Sequence, residues 1–156
     1  MPKSSADRAA AFVLRCWRPD QRGFAYQPGG GGGGNASLTM TAAAVLDLHL
    51  LDRAGGDETR RGAAFLSRNA VNDKTEYPYY ARYYTTQAAF QVGGDLWPAV
   101  WNRTQADLLK IQREQKDADG SWPQSRTANE PGQTYATAMS VLTLSVPLRL
   151  LPTYQR

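Results

Sequence analysis

Apolar residues recur at helical spacing along nearly the whole chain, and they sort into two kinds of segment. Ala6 to Trp17 predicts a helix with an apolar stretch from Ala9 to Leu14. Asp7 falls in its first turn, where the helix dipole favours an acid, and Pro19 ends it. Leu38 to Leu51 is apolar on all sides and predicts a helix with no wet face. After Gly55-Gly56, Asp57 and Glu58 open a third helix. Ala63 to Leu66 form its dry stripe, and Arg60, Arg61 and Arg68 its polar one. A second dry helix begins near Tyr79 and runs to Phe90, with Gly93-Gly94 breaking it. Pro98 suits the first turn of a fifth helix, which ends near Gln115. Leu108 and Ile111 share one stripe there, with Arg113, Glu114 and Lys116 elsewhere. The run from Tyr135 to Val146 holds only apolar, Ala, Ser and Thr residues, and Pro147 stops it.

Half-wet helices thus alternate with dry ones, giving three antiparallel hairpins over 6–53, 57–92 and 97–147, with 148–156 as a tail. No stretch alternates with period two for long enough to argue a sheet. Thr41-Ala-Ala-Ala-Val-Leu-Asp-Leu48 matches Thr137-Ala-Met-Ser-Val-Leu-Thr-Leu144 at five of eight positions. Their offset, 96, is two steps of 48, which predicts an internal repeat with one copy between. All of this reads as an all-α domain in two layers of helices.

Composition narrows the function without choosing one. Hydrophobic content of 42% and charged content of 21% suit a soluble globular domain. No window approaches the apolar length of a membrane span, and the first residues carry no apolar leader. The net charge of +4 comes from arginines scattered along the chain, which argues against a nucleic-acid surface. A lone cysteine, Cys16, has no internal disulfide partner, and a lone histidine, His49, has no ligand partner at metal-binding spacing. Neither a metal nor a cofactor is expected. The compartment stays open. The glycine run Gly29 to Gly34 lacks the Lys-Ser/Thr of a phosphate loop and reads as an insertion.

The loop Asp117-Ala-Asp-Gly-Ser-Trp122 is the most specific feature. Gly120 can take positive φ, and Trp122 offers a large apolar face with one N–H. Ile111, three spacers, Gln115, and then Gly120-Ser-Trp122 resemble the repeat of the squalene-cyclase and protein-prenyltransferase superfamily. Gly23-Phe24 stands at the corresponding turn of the first unit, and the middle unit keeps no such turn. The resemblance implies an α/α toroid, of which this chain supplies a part. It also implies that Gln115 and Trp122 tie an outer helix to its neighbour. The family's catalytic motifs are absent: no Asp-x-Asp-Asp, no Asp-Asp-x-x-Asp, no zinc set of Asp, Cys and His, and no Cys-Gly-Glu-Gln loop.

The first functional expectation is therefore a non-catalytic half-toroid. It would bind a hydrophobic ligand or a partner, or be completed by a second copy or a further half of the ring. The second is the C-terminal part of a terpenoid cyclase. Its cavity would be lined by Tyr79, Tyr80, Tyr83, Tyr84 and Trp97, whose rings could stabilise cations. The third is a glycan-active toroid enzyme, with Glu76, Asp95 and Glu130 as candidate acids.

Overall fold

The computed structural model describes residues 3–29, 34–72, 74–114, 119–125 and 131–149. Six helices dominate it: α1 (Lys3–Arg15), α2 (Leu38–Leu50), α3 (Asp57–Arg68), α4 (Pro78–Val92), α5 (Leu96–Arg113) and α6 (Gly132–Ser145). A 3₁₀ turn, Val146–Leu148, follows α6 and carries Pro147. Two short strands, β1 (Trp17–Arg18) and β2 (Gly23–Phe24), pair antiparallel, Trp17 opposite Phe24.

Local chemistry sets several of these boundaries. Ser37 is extended, and its hydroxyl accepts from the Met40 amide at 3.1 Å, which starts α2. Asp57 holds Arg61 one turn on at 2.7 Å in the first turn of α3. Pro78 occupies the first turn of α4, and Gly93, at φ 72°, ends it. The first helix stops at Arg15, four residues before Pro19, because the chain leaves it to enter the β1–β2 pair. There the Trp17 and Phe24 rings meet edge to face at 5.0 Å.

At the centre lies α4, which packs against α2, α5 and α6; α3 packs against α2 and α5. The main core joins Ala42, Val45 and Leu46 of α2 to Leu66, Ala88, Ala89, Leu96 and Val100. A Cβ on Gly62 would sit 2.7 Å from Val45 Cγ2, so glycine lets α3 press close to α2. A second cluster gathers Ala10, Cys16, Phe24, Ala44 and Leu48, and a third Tyr79, Leu108, Trp122 and Ala136.

The matching sequences of α2 and α6 end in different surroundings. Val45 and Leu46 are fully covered, yet their counterparts Val141 and Leu142 are 52% and 38% exposed. Three helices, α1, α3 and α4, pack on α2, whereas α6 packs mainly on α4 and leaves Val141 and Leu142 on an open flank among the described residues. The expected dryness of α6 therefore holds on one face only. Nor is the repeat evenly stepped. The three dry segments start at Leu38, Pro78 and Gly132, so the second interval is much longer than the first.

Candidate functional site

The two aromatic turns share one device. The Trp122 amide donates to Thr137 Oγ1 at 3.0 Å, and the Phe24 amide donates to Thr41 Oγ1 at 2.9 Å. Thr41 and Thr137 are the matching first residues of the repeated octapeptide. In each case the loop closes on the first turns of the helix that follows. Gly23 is required for the close approach, since a Cβ there would lie 2.8 Å from Thr41 Oγ1. Trp122 is buried, and its indole N–H reaches Leu108 O at 2.8 Å. Gly120 does adopt positive φ, 81°. Gln112 grips this turn, its Nε2 donating to Gly120 O at 2.6 Å. Gln115 lies outside the described residues. Leu108 is fully buried beneath Trp122, and Ile111 packs half-buried against the same cluster.

A groove of about 990 Å³ opens where α2, α4 and α6 begin. Leu38, Met40, Phe65, Tyr77, Tyr80 and Tyr135 provide its apolar wall. Asn35, Asn69, Asn72, Lys74 and Glu76 provide polar groups around it. Of the five aromatic residues expected to line a cavity, Tyr80 is in this wall. Tyr79 is buried in the third cluster, with its hydroxyl donating to Pro123 O at 2.7 Å and Arg82 over its ring at 5.9 Å. Tyr83 is buried too, and its hydroxyl accepts from Gln87 Nε2 at 3.3 Å. Trp97 stacks on Trp101 at 5.2 Å and meets Phe90 edge to face at 5.1 Å, packed on the main core.

Tyr84 lies between these environments. Its ring is 4.5 Å from Tyr80 and 5.3 Å from Tyr83, the latter edge to face. Burial, then a hydrogen bond with Tyr80, then the neighbouring Tyr80, Tyr83 and Asp47, raise the Tyr84 phenol far above its ordinary value. Asp47 of α2 keeps an exposed surface, yet desolvation holds its carboxyl above the usual carboxylate range. That residue went unremarked in the sequence, although it is the one acid in an otherwise dry helix.

Among the described residues, no two acids face each other across the groove. Glu76 is the single carboxylate in its wall among the described residues. Asp95 precedes α5 and does not line the groove, and Glu130 lies outside the described residues. Cys16 is buried with its thiol pushed up, burial outweighing nearby Arg18 and Arg15. His49 bonds to Val45 O at 2.9 Å within its own helix. Among the described residues no group of three His, Cys, Asp or Glu is placed to hold a metal ion, and no helix is long and apolar enough to cross a membrane.

No family model matches the chain, and no curated protein or solved structure matches it.

Proposed function

We propose that this chain is a repeat module of the squalene-cyclase and protein-prenyltransferase type. It is a partial α/α toroid, non-catalytic as it stands, that serves as a scaffold and binds a hydrophobic small molecule or a partner in its groove. The observation that carries the reading is the threonine bond made twice. Phe24 and Trp122 follow glycine-type turns, and each donates its amide to the matching threonine of the repeated octapeptide. The same side-chain contact at the same register of the octapeptide supports an internal repeat. In this reading α2, α4 and α6 form an inner wall, and α3 and α5 lie outside it. The uncovered Val141 and Leu142 then mark where another hairpin, from a second copy or a further half of the ring, would pack.

The groove gives the module something to do. Its volume falls in the range of small-ligand sites, and tyrosine rings with aliphatic side chains form much of its wall. The chemistry of a cyclase or a glycan hydrolase is not favoured, because the first lacks its acid motif and, for the second, no paired acids stand in the groove among the described residues. Titration with farnesol, followed by tyrosine and tryptophan fluorescence, tests the binding reading. Saturable binding is expected, weakened roughly tenfold in Tyr135→Ala through loss of one aromatic wall. Absence of saturable binding, or equal binding by Tyr135→Ala, overturns it.

A further inference from the structure

The groove at the start of α2, α4 and α6 is not apolar throughout, and two of its amide side chains are held in fixed orientations. The Ala36 amide donates to Gln21 Oε1 at 2.6 Å. That bond turns Gln21 Nε2 toward Asn35, whose Oδ1 accepts it at 3.1 Å. With Oδ1 taken, Asn35 Nδ2 is left as a donor with no partner among the described residues. Asn69 is held the other way round. Its Nδ2 donates to Phe65 O at 2.8 Å, and its backbone carbonyl accepts from Arg103 at 3.2 Å. Asn69 Oδ1 is thus left as an acceptor with no partner among the described residues. Both asparagines line the groove. Thr39, in the first turn of α2, lines it too and is only 7% exposed, and its hydroxyl has no hydrogen bond among the described residues.

These groups constrain the ligand. Lys74 and Glu76 both stand in the polar part of the wall, so a charged head meets its own sign as well as the opposite one. A neutral head is favoured. One fixed donor beside one fixed acceptor suits hydroxyl groups, each of which donates and accepts. Ring faces are also on offer, since Tyr26 is 72% and Tyr77 39% exposed, and both line the groove. The C–H face of a pyranose covers such a ring while its hydroxyls reach the amides. The aliphatic and aromatic part of the wall, with Leu38, Met40 and Phe65, accepts a hydrocarbon chain.

We propose that the groove takes an uncharged amphiphile of the glycolipid class, its sugar head held by Asn35, Asn69 and Thr39 and its hydrocarbon chain by the apolar wall. This rests on the ligand-binding reading and names the ligand class, and the two fail separately.

The test uses the full chain and four probes: octyl β-glucoside below its micelle-forming concentration, 1-octanol, octanoate and glucose. Affinity is read by calorimetry. Octyl glucoside is expected to bind roughly tenfold more tightly than octanol, through two head-group hydrogen bonds and one ring contact. Octanoate should bind no more tightly than octanol, and glucose more weakly than its octyl glycoside. Asn35→Ala should weaken octyl glucoside by roughly fivefold and leave octanol within about twofold. Asn69→Ala should do the same. Because it also removes the bond to Phe65, the comparison is made within the variant: structural damage weakens both probes alike, and loss of head recognition weakens the glucoside alone. Equal binding of octyl glucoside and octanol, glucose binding as tightly as its octyl glycoside, octanoate outbinding the glucoside, or no probe-selective loss in either variant overturns the proposal. If farnesol binds saturably in that event, the hydrophobic groove stands without head-group recognition. If farnesol fails as well, both readings fall.

Discussion

Thr41 and Thr86 are both fully buried threonines, and removing the hydroxyl from each should move stability in opposite directions. Thr41 Oγ1 accepts the Phe24 amide at 2.9 Å in a buried setting. Replacing Thr41 with Val keeps the shape but strands that N–H. A lost neutral hydrogen bond costs about 1 kcal/mol, and an orphaned buried donor about 1–3 kcal/mol. The extra apolar methyl returns part of this, leaving a net loss of about 2 kcal/mol. Thr86 Oγ1 has no partner, so Thr86→Val removes a desolvated hydroxyl and breaks nothing. A gain of about 0.5–1 kcal/mol follows. At this chain length 1 kcal/mol moves the melting temperature by about 2–4 °C, so the two variants should separate by about 5–12 °C. Urea unfolding followed by circular dichroism gives both free energies, with the denaturant slope checking that the transition remains two-state. If Thr41→Val is as stable as the unsubstituted chain, or matches Thr86→Val, the loop latch contributes nothing, and the structural basis for the repeat is lost.

Two further outcomes can be checked. Desolvation raises the Asp47 carboxyl in the folded chain, so its charged form opposes folding. That group favours folding below the unfolded carboxylate pKa and loses the contribution as pH rises through the raised folded value. Asp47→Asn should therefore gain stability over the unsubstituted chain at pH 7 and not at pH 3, by no more than about 0.5 kcal/mol because the side chain is exposed to solvent screening. A Tm difference independent of pH would refute this. Separately, the open flank of α6 predicts concentration-dependent association, read by light scattering and reduced in a Val141→Lys, Leu142→Lys double variant. A monodisperse monomer at all concentrations would contradict that expectation.

Several helices were legible because strong punctuation bounds them: Asp57 at the start of α3, Gly93 after α4 and Pro147 after α6. What escaped the sequence depended on neighbours. A two-residue ladder such as Trp17–Phe24 is too short to show a period, so α1 was expected to run on toward Pro19. The grip of Gln112 on Gly120 O also escaped, since nothing in the spacer count marked Gln112. The tyrosines of α4 all carry the same letter, yet its packing partners turn Tyr79 and Tyr83 inward and leave Tyr80 and Tyr84 partly open.

The two threonine latches are short in sequence, spanning 17 residues in one case and 15 in the other. Each ties a loop to its own hairpin, so neither depends on the other having formed. Closing so small a loop costs little chain entropy. An architecture wired this way tolerates the duplication or deletion of a whole hairpin, because no latch has to be rethreaded when the number of copies changes.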